Sequence, residues 1–421
     1  MANSYLTRTP GSAGNTKKFT ISAWVKRSYL GSNTSTIFSS WSADSIAGHF
    51  AFRFDGSDRL DLSTWSVNLL TTNRFFKDTN AWYHIVCAVD TDESTANNRV
   101  RFYVNGVEET SFSARNNPSS GQTFSVNNTN SQTVGLNNYS SAAGNMDGYM
   151  SHVAMVDGQQ LTPATFGETD STSGIWKFKS PSGVTWGTNG FHLKMENSGA
   201  MGTDSSGNTN TFTVNGNLKQ ALDTPSNVYA TMNPLDNYYA ASTFTEGNNT
   251  VEHGQSPWTY NTSTLKIPEA TKFYCEGKVI AMNQNTCGIA SNVTTGSGGS
   301  NTALPNITGG VGFRGNQGDV LKATSTQSGT WATFTTNDII QIACDTVNNK
   351  LYFGKNGTWL NSGDPTSGAS GTGAVSIDDN TDYFFAFGDN TSGGRGKWSI
   401  NFGNGFFGTT AITSAGSNGN G

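Results

Sequence analysis

Trp82-Tyr83-His84-Ile85-Val86-Cys87-Ala88-Val89-Asp90, then an acidic turn, then Val100-Arg101-Phe102-Tyr103-Val104-Asn105-Gly106, is the stretch that sets the fold of this 421-residue chain. Apolar and polar side chains alternate along its second run, the period of a strand with one buried face. Asn-Gly then supplies two residues that tolerate positive φ, as a tight hairpin requires. The same plan returns later as Ile339-Ile340-Gln341-Ile342-Ala343-Cys344-Asp345, Asn348-Asn349, Lys350-Leu351-Tyr352-Phe353 and Asn356-Gly357. Alternation recurs at Phe19–Val25 and Phe50–Phe54, with turn signals at Asp147-Gly148 and Asp157-Gly158. Helical periodicity is nearly absent. The pattern predicts an all-β protein of two antiparallel β-sandwiches in tandem, residues 1–222 and 237–421. Pro225 and Pro234 mark residues 223–236 as an irregular linker.

Composition narrows the class. Only 13% of residues are charged and 34% hydrophobic, but aromatics reach 11%. Large rings can close a core with few aliphatic residues, and disordered chains lack them. Net charge is −5 and no basic stripe exists, which argues against nucleic acid as a partner. No apolar run approaches the ~18 residues that span a bilayer, so membrane insertion is not expected. Residues 1–18 are polar and lack the apolar stretch of a signal peptide, so synthesis in a cytosol is expected. Cys87 and Cys344 fall in strand-like runs as small buried hydrophobes. A Cys275–Cys287 bridge is the lesser alternative to free thiols there. The Gly296–Ser300 patch and the Gly/Ser/Asn-rich residues from Ser414 to Gly421 read as loop and tail.

Phe19-Thr20-Ile21-Ser22-Ala23-Trp24-Val25-Lys26, Trp82-Tyr83-His84-Ile85-Val86, Val104-Asn105-Gly106 and Met146-Asp147-Gly148-Tyr149-Met150 together resemble laminin-G-like (concanavalin-A-like) jelly-roll domains. The second half resembles a SPRY domain, through Ala270–Glu276, Asp338–Asp345, Leu351–Gly357 and Trp398–Gly403. The opening, Ser4 to Asn15, is similar to the start of a two-domain structural protein of marine tailed phages. In many laminin-G-like domains a strand and an Asp-x-Ser-Gly-Asn turn precede the Ala-Trp-Val strand. Here Phe191-His192-Leu193-Lys194-Met195 and Asp204-Ser205-Ser206-Gly207-Asn208 come last, so the resemblance implies a circularly permuted first sandwich closed by residues 186–222.

Glycoside hydrolysis is the enzymatic alternative, and it needs two carboxylates flanking the scissile bond. The resemblance to glucanases implies Glu-x-Asp-x-x-Glu. The nearest match, Glu168-Thr169-Asp170-Ser171-Thr172-Ser173, has Ser where the second Glu belongs and lies in a turn-like segment. Gly310-Val311-Gly312-Phe313-Arg314-Gly315 matches a dinucleotide fingerprint in letters only, because no helix follows. The five histidines never pair at metal spacing; His84 and His152 read as structural. No cofactor is expected. Calcium is the ion that Asp90, Asp92, Asp147 and Asp204 would suit, although turns also favour Asp for its own backbone bonds.

Rings near polar turns suit carbohydrate, since a flat ring covers a sugar face while amides bind hydroxyls. The candidates are Trp65, Trp186, Trp258, Trp359 and Tyr238, with Tyr239 beside the last. The expectation is a non-catalytic structural or adhesion protein on the exterior of a phage virion, made in the host cytoplasm. It would serve as tail fibre, head fibre or capsid decoration. Its partners would be other virion proteins, further copies of itself and host-surface glycan. A glycan-active hydrolase and a protein-interaction module acting through the SPRY-like loops are the alternatives.

Overall fold

The computed structural model describes residues 4–31, 33–139, 144–238, 240–254, 259–291, 303–389, 394–408 and 410–412. The Gly296–Ser300 patch and the tail from Ser414 lie outside them. Among the described residues there is no α-helix, only 3-10 turns at Ala96–Asn98, Pro163–Thr165, Leu304–Asn306 and Gly368–Ser370. The chain divides into two compact units, Met1–Gln220 with Thr224–Val228, and Ala221–Asp223 with Tyr229–Gly421.

In the first unit the larger sheet runs Phe112–Arg115, Asn68–Phe75, Arg59–Ser63, His49–Phe54, Ser35–Trp41, Gln132–Val134, Tyr5–Arg8 and Thr213–Asn215. The other runs Phe191–Leu193, Gly148–Asp157, Lys18–Arg27, Trp82–Asp90, Val100–Val104 and Val107–Glu108. Rings fill the space between them. Phe19, Phe38, Phe50, Phe52, Phe54 and Phe76 have no exposed surface. Phe19 meets Phe50 edge-on at 5.5 Å and 72°, a favoured arrangement for aromatic pairs.

The late residues close both sheets. Phe191–Leu193 pairs antiparallel with Gly148–Asp157, and Thr213–Asn215 with Tyr5–Arg8. This is the arrangement that a circularly permuted jelly roll requires. A buried polar network ties the closing segment down. The Asp157 carboxylate accepts from the Asn15 and Asn189 amides at 2.8 and 3.0 Å and from Asn127 Nδ2 at 3.1 Å. Asn189 Nδ2 donates to the Ser12 carbonyl at 3.0 Å, while Arg8 donates to Asn189 and Asn210. Interior amides are tolerated when satisfied in this way.

The hairpin plan repeats in atomic detail. Asn105 and Gly106 have φ of 48° and 84°, and Asn356 and Gly357 of 50° and 85°. Asn105 Oδ1 accepts the His84 amide at 2.8 Å, and Asn356 Oδ1 accepts the Ile339 amide at 2.8 Å. Each asparagine therefore ties its turn to the strand paired on the other side.

The second unit's larger sheet runs Thr243–Thr245, Thr250–Glu252, Lys397–Asn401, Lys272–Ala281, Ile339–Asp345, Lys350–Lys355 and Thr358–Trp359, with Val375–Ser376 beside Lys350–Lys355. Its partner sheet holds Thr259–Thr262, Phe384–Asp389, Asn285–Ala290, Gly310–Arg314, Asp319–Lys322 and Ser325–Thr326. Gly310–Arg314 is thus a core strand turning back on itself, not a phosphate loop. All four cysteines are free and buried. Burial pushes the Cys344 thiol up to about 12, so these thiols stay protonated and unreactive. Residues 223–236 carry none of the strands, and their later part packs on the second unit. Met232 fills the second core, and the buried Asp236 carboxylate accepts from Thr262 N and Oγ1 at 3.1 and 2.5 Å.

Candidate functional site

In the first unit's larger sheet, Phe50, Phe52 and Leu62 point into the core. Strand alternation therefore sends His49, Ala51 and Ser63 to the opposite face. Trp41 stands across from His49 in the pairing. Tyr139 packs over both, at 6.4 Å from Trp41 and 5.5 Å from His49. Trp65, on the turn between Arg59–Ser63 and Asn68–Phe75, lies 4.7 Å from Tyr139 and is 39% exposed.

Amides rim these rings. Asn137 Oδ1 lies 3.1 Å from His49 Nε2. Asn138 donates to the Ser131 carbonyl at 2.9 Å, and Asn130 donates to Ser40 Oγ at 2.6 Å. Burial holds the His49 pKa below its usual value, so the ring is neutral near pH 7. Trp41 Nε1 has no hydrogen-bond partner among the described residues. The result is an aromatic platform with an exposed indole, backed by amides and a neutral imidazole. Such a surface can stack on the C–H face of a ring-shaped ligand and hydrogen-bond to its hydroxyls. Of these rings the sequence reading names Trp65 alone. Tyr139, Trp41 and His49 join it only in the fold, and in the sequence the Trp41–His49 pairing across one hairpin is their one signal.

The other candidate rings serve different ends. Trp186 is half-buried and stacks on His192 at 5.9 Å and 16°, covering the outer face of the six-stranded sheet. Tyr238 is 5% exposed and stacks on Tyr260 at 4.5 Å. It is a packing residue and not a ligand platform, because its chain segment docks against the strand Thr259–Thr262. Trp258 and Tyr239 lie outside the described residues. Trp359 is half-buried, 6.3 Å from the exposed Tyr274 and 6.5 Å from Tyr352.

The four acidic candidates do not converge. Asp90 holds Lys18 at 2.6 Å and Asp92 holds Lys17 at 3.3 Å, at the Lys18 end of the strand Lys18–Arg27. Asp147 precedes Gly148, which pairs with Arg27 at that strand's other end; burial raises its carboxyl. Asp204 accepts from the His192, Ser206 and Asn210 amides at 2.8–2.9 Å, the bonding of a turn-forming Asp. Among the described residues no group of three or more His, Cys, Asp or Glu could hold a metal.

Residues 167–178, whose Glu168–Ser173 stretch reads as turn-like in the sequence, form a hairpin. Gly167–Thr169 pairs with Trp176–Phe178. Trp176 Nε1 donates to His84 Nδ1 at 3.0 Å. His84 must then carry its proton on Nε2, which donates to Ser22 Oγ at 2.9 Å. Trp24 and Trp176 both stack on this imidazole, and burial lowers its pKa to about 3. Gly106 and Gly167 sit under the indole, where a Cβ would come within 2.6 and 2.5 Å of it. Beside this cluster, a bulge in Gly148–Asp157 turns His152 outward with φ of 49°. His152 stacks on Phe178 at 3.6 Å and meets His192 Nε2 at 3.4 Å. Glu168 and Asp170 share Lys177 at 3.6 and 2.9 Å. Lys177 and the Ser173 and Thr172 amides hold the Asp170 carboxyl well below the usual carboxylate range. It is a turn former that stays ionised, the opposite of a general acid.

Residues 1–165 match the family model of the concanavalin A-like lectin/glucanases superfamily. No curated protein matches the sequence. Among solved structures, the SPRY domain of human HERC1 is similar at 14% identity and a TM-score of 0.33, over 44% of this chain and 99% of that one. The TRIM65 PSpry domain is similar at 11% identity and a TM-score of 0.32, over 41% and 89%. A heptameric SAP-like pentraxin from Limulus polyphemus is similar at 16% identity and a TM-score of 0.32, over 51% and 89%.

Proposed function

We propose that this is a non-catalytic recognition protein on the exterior of a tailed-phage particle, and that its first sandwich binds surface glycan through Trp65, Tyr139 and Trp41. The exposed Trp65–Tyr139 platform, 4.7 Å between ring centroids and rimmed by Asn137 and Asn138, carries this reading. The match of residues 1–165 to a lectin and glucanase superfamily supports a glycan as ligand. The phage-like opening from Ser4 to Asn15 supports the particle exterior. The reading needs no cofactor. A shallow platform binds weakly by itself, but copies held together on a particle multiply weak contacts by avidity. Other virion proteins and further copies of the chain are therefore the expected neighbours.

The test is glycan binding by purified protein, measured on bacterial surface polysaccharides. Trp65→Ala should weaken it by roughly 30-fold, since truncating an aromatic anchor costs about 2 kcal/mol. Its melting temperature should hardly move, because the ring is exposed. Equal binding by the variant would remove the platform from the reading. Reducing-end release is expected to stay at background for both wild type and Glu168→Gln. Turnover that Glu168→Gln abolishes would make the protein a glycosidase.

A further inference from the structure

We infer that the open part of the second sandwich's larger sheet is a seat for an arginine side chain of a partner protein, built from Tyr274, Glu276 and Trp359. Pairing places Glu276, Gln341, Gly354 and Trp359 in one row across four strands. Tyr274, Ala343 and Tyr352 form the next row. Gly354 makes room in the row for the Gln341 side chain, which lies 2.9 Å from where a Cβ would stand. Tyr274 is 41% exposed and meets Trp359 edge to face at 6.3 Å and 72°, so an exposed ring held by a second ring lies beside Glu276. Trp359 is held from behind by Tyr352, which is 1% exposed.

Tyr274 donates its hydroxyl to Glu276 Oε1 at 2.5 Å along the same strand, a bond that leaves the negative charge of the carboxylate uncancelled. Glu276 forms no ion pair among the described residues, and its neighbour Lys278 does not close on it. Elsewhere in this unit Asp345, Asp338, Asp378 and Glu252 each hold a lysine or arginine. Gln341 cannot supply a charge, and its Oε1 already accepts the Gly357 amide at 2.8 Å.

A half-buried carboxylate beside an exposed aromatic ring is complementary to a planar cation. Guanidinium can stack on a ring and donate N–H bonds to a carboxylate at the same time, which a compact ammonium does less well. The length of the surface favours a polypeptide as the carrier. Tyr274, Glu276, Lys278 and Ile280 share one face of a single strand, and Ile280 is 37% exposed. That face runs about 20 Å, far beyond the reach of one small cation.

The test uses the full chain labelled with 5-fluorotryptophan, the Trp359 resonance being the one that disappears in Trp359→Phe. The probes are the peptide acetyl-Gly-Arg-Gly-amide and its citrulline counterpart, which has the same shape without the charge. The arginine peptide should shift the Trp359 resonance saturably. The citrulline peptide, and the arginine peptide on Glu276→Gln, should each bind about tenfold more weakly or worse, the loss of a charge-assisted hydrogen bond. Equal shifts from both peptides would overturn the inference without needing any variant. So would unchanged binding to a Glu276→Gln protein of normal melting temperature, the absence of any shift, or a shift produced by methyl hexosides instead.

Discussion

Acidification from pH 7 towards pH 4 is expected to unfold the first sandwich. Burial, with Lys194 nearby, holds His152 and His192 at pKa values of about 4, His192 adding to the effect on His152, and burial alone takes His84 to about 3. An unfolded histidine titrates near 6.5. A pKa depressed on folding means that the unfolded chain takes up protons first. The stability is therefore fully present above pH 6.5 and is lost as pH falls towards 4. At pH 5 each such ring has forgone about 2 kcal/mol of protonation free energy. Three of them approach the 5–15 kcal/mol that holds a typical domain.

Asp61 and Asp147 work in the opposite direction, because burial raises both carboxyls and their proton uptake favours the folded state in acid. Two carboxyls of ordinarily lower pKa do not offset three imidazoles between pH 7 and 5. Thermal melts followed by circular dichroism at pH 7, 6, 5 and 4 measure the effect. His192→Gln should flatten the dependence, while a melting temperature constant from pH 7 to 5 would refute it. The consequence would be local and visible. The hairpin carrying Trp176 and Phe178 rests on these imidazoles, so charging them should release it from the sheet.

The second large effect is expected at Arg27. Its side chain has no exposed surface and pairs with Asp58 at 2.9 Å. It also donates to the Phe76 carbonyl at 2.7 Å and lies 4.5 Å over the Phe54 ring. Burial alone lowers the guanidinium pKa, and Asp58 opposes that. Removing the counter-charge leaves a cation in the interior, which costs about 3–5 kcal/mol. Asp58→Asn is the suitable change, because Asp58 has φ of 67° and asparagine tolerates that region. The first transition should fall by roughly 10 °C. The double variant Arg27→Met/Asp58→Asn should recover part of the loss. A fall of no more than a degree or two in the single variant would mean that water reaches the guanidinium.

Much of this architecture could be read from short-range pattern. Alternation and paired Asn-Gly turns are local, so both hairpins, the absence of helix and the tandem plan were visible before any coordinates. The closing role of Phe191–Leu193 was legible too, because a displaced strand and turn kept their own residues. The site was harder. Trp65 and Tyr238 look alike in sequence, each an aromatic beside a polar turn, yet one is exposed and the other lies under Tyr260. That difference depends on which distant strand the segment meets. Tyr139 reaches Trp65 across more than seventy positions by way of the sheet, and no local signal marks it. The hairpin of Trp176 and Phe178 was hidden by brevity, its strands being three residues each.

The order in which the strands arrive has a kinetic consequence. Arg8 waits for Asn210, 202 positions later, and the strand Tyr5–Arg8 waits for Thr213–Asn215. A ribosome adding about 5–20 residues per second needs roughly 10–40 s to deliver them. During that interval the edge beside Tyr5–Arg8 stands open, and the edge beside Gly148–Asp157 stands open from that strand's synthesis until Phe191–Leu193 follows. Open edges are templates for any strand of suitable register, including one from a neighbouring nascent chain. Chains translated side by side on one message would then trade closing strands, and the yield of monomer should rise when elongation is faster or ribosomes are sparse on the message.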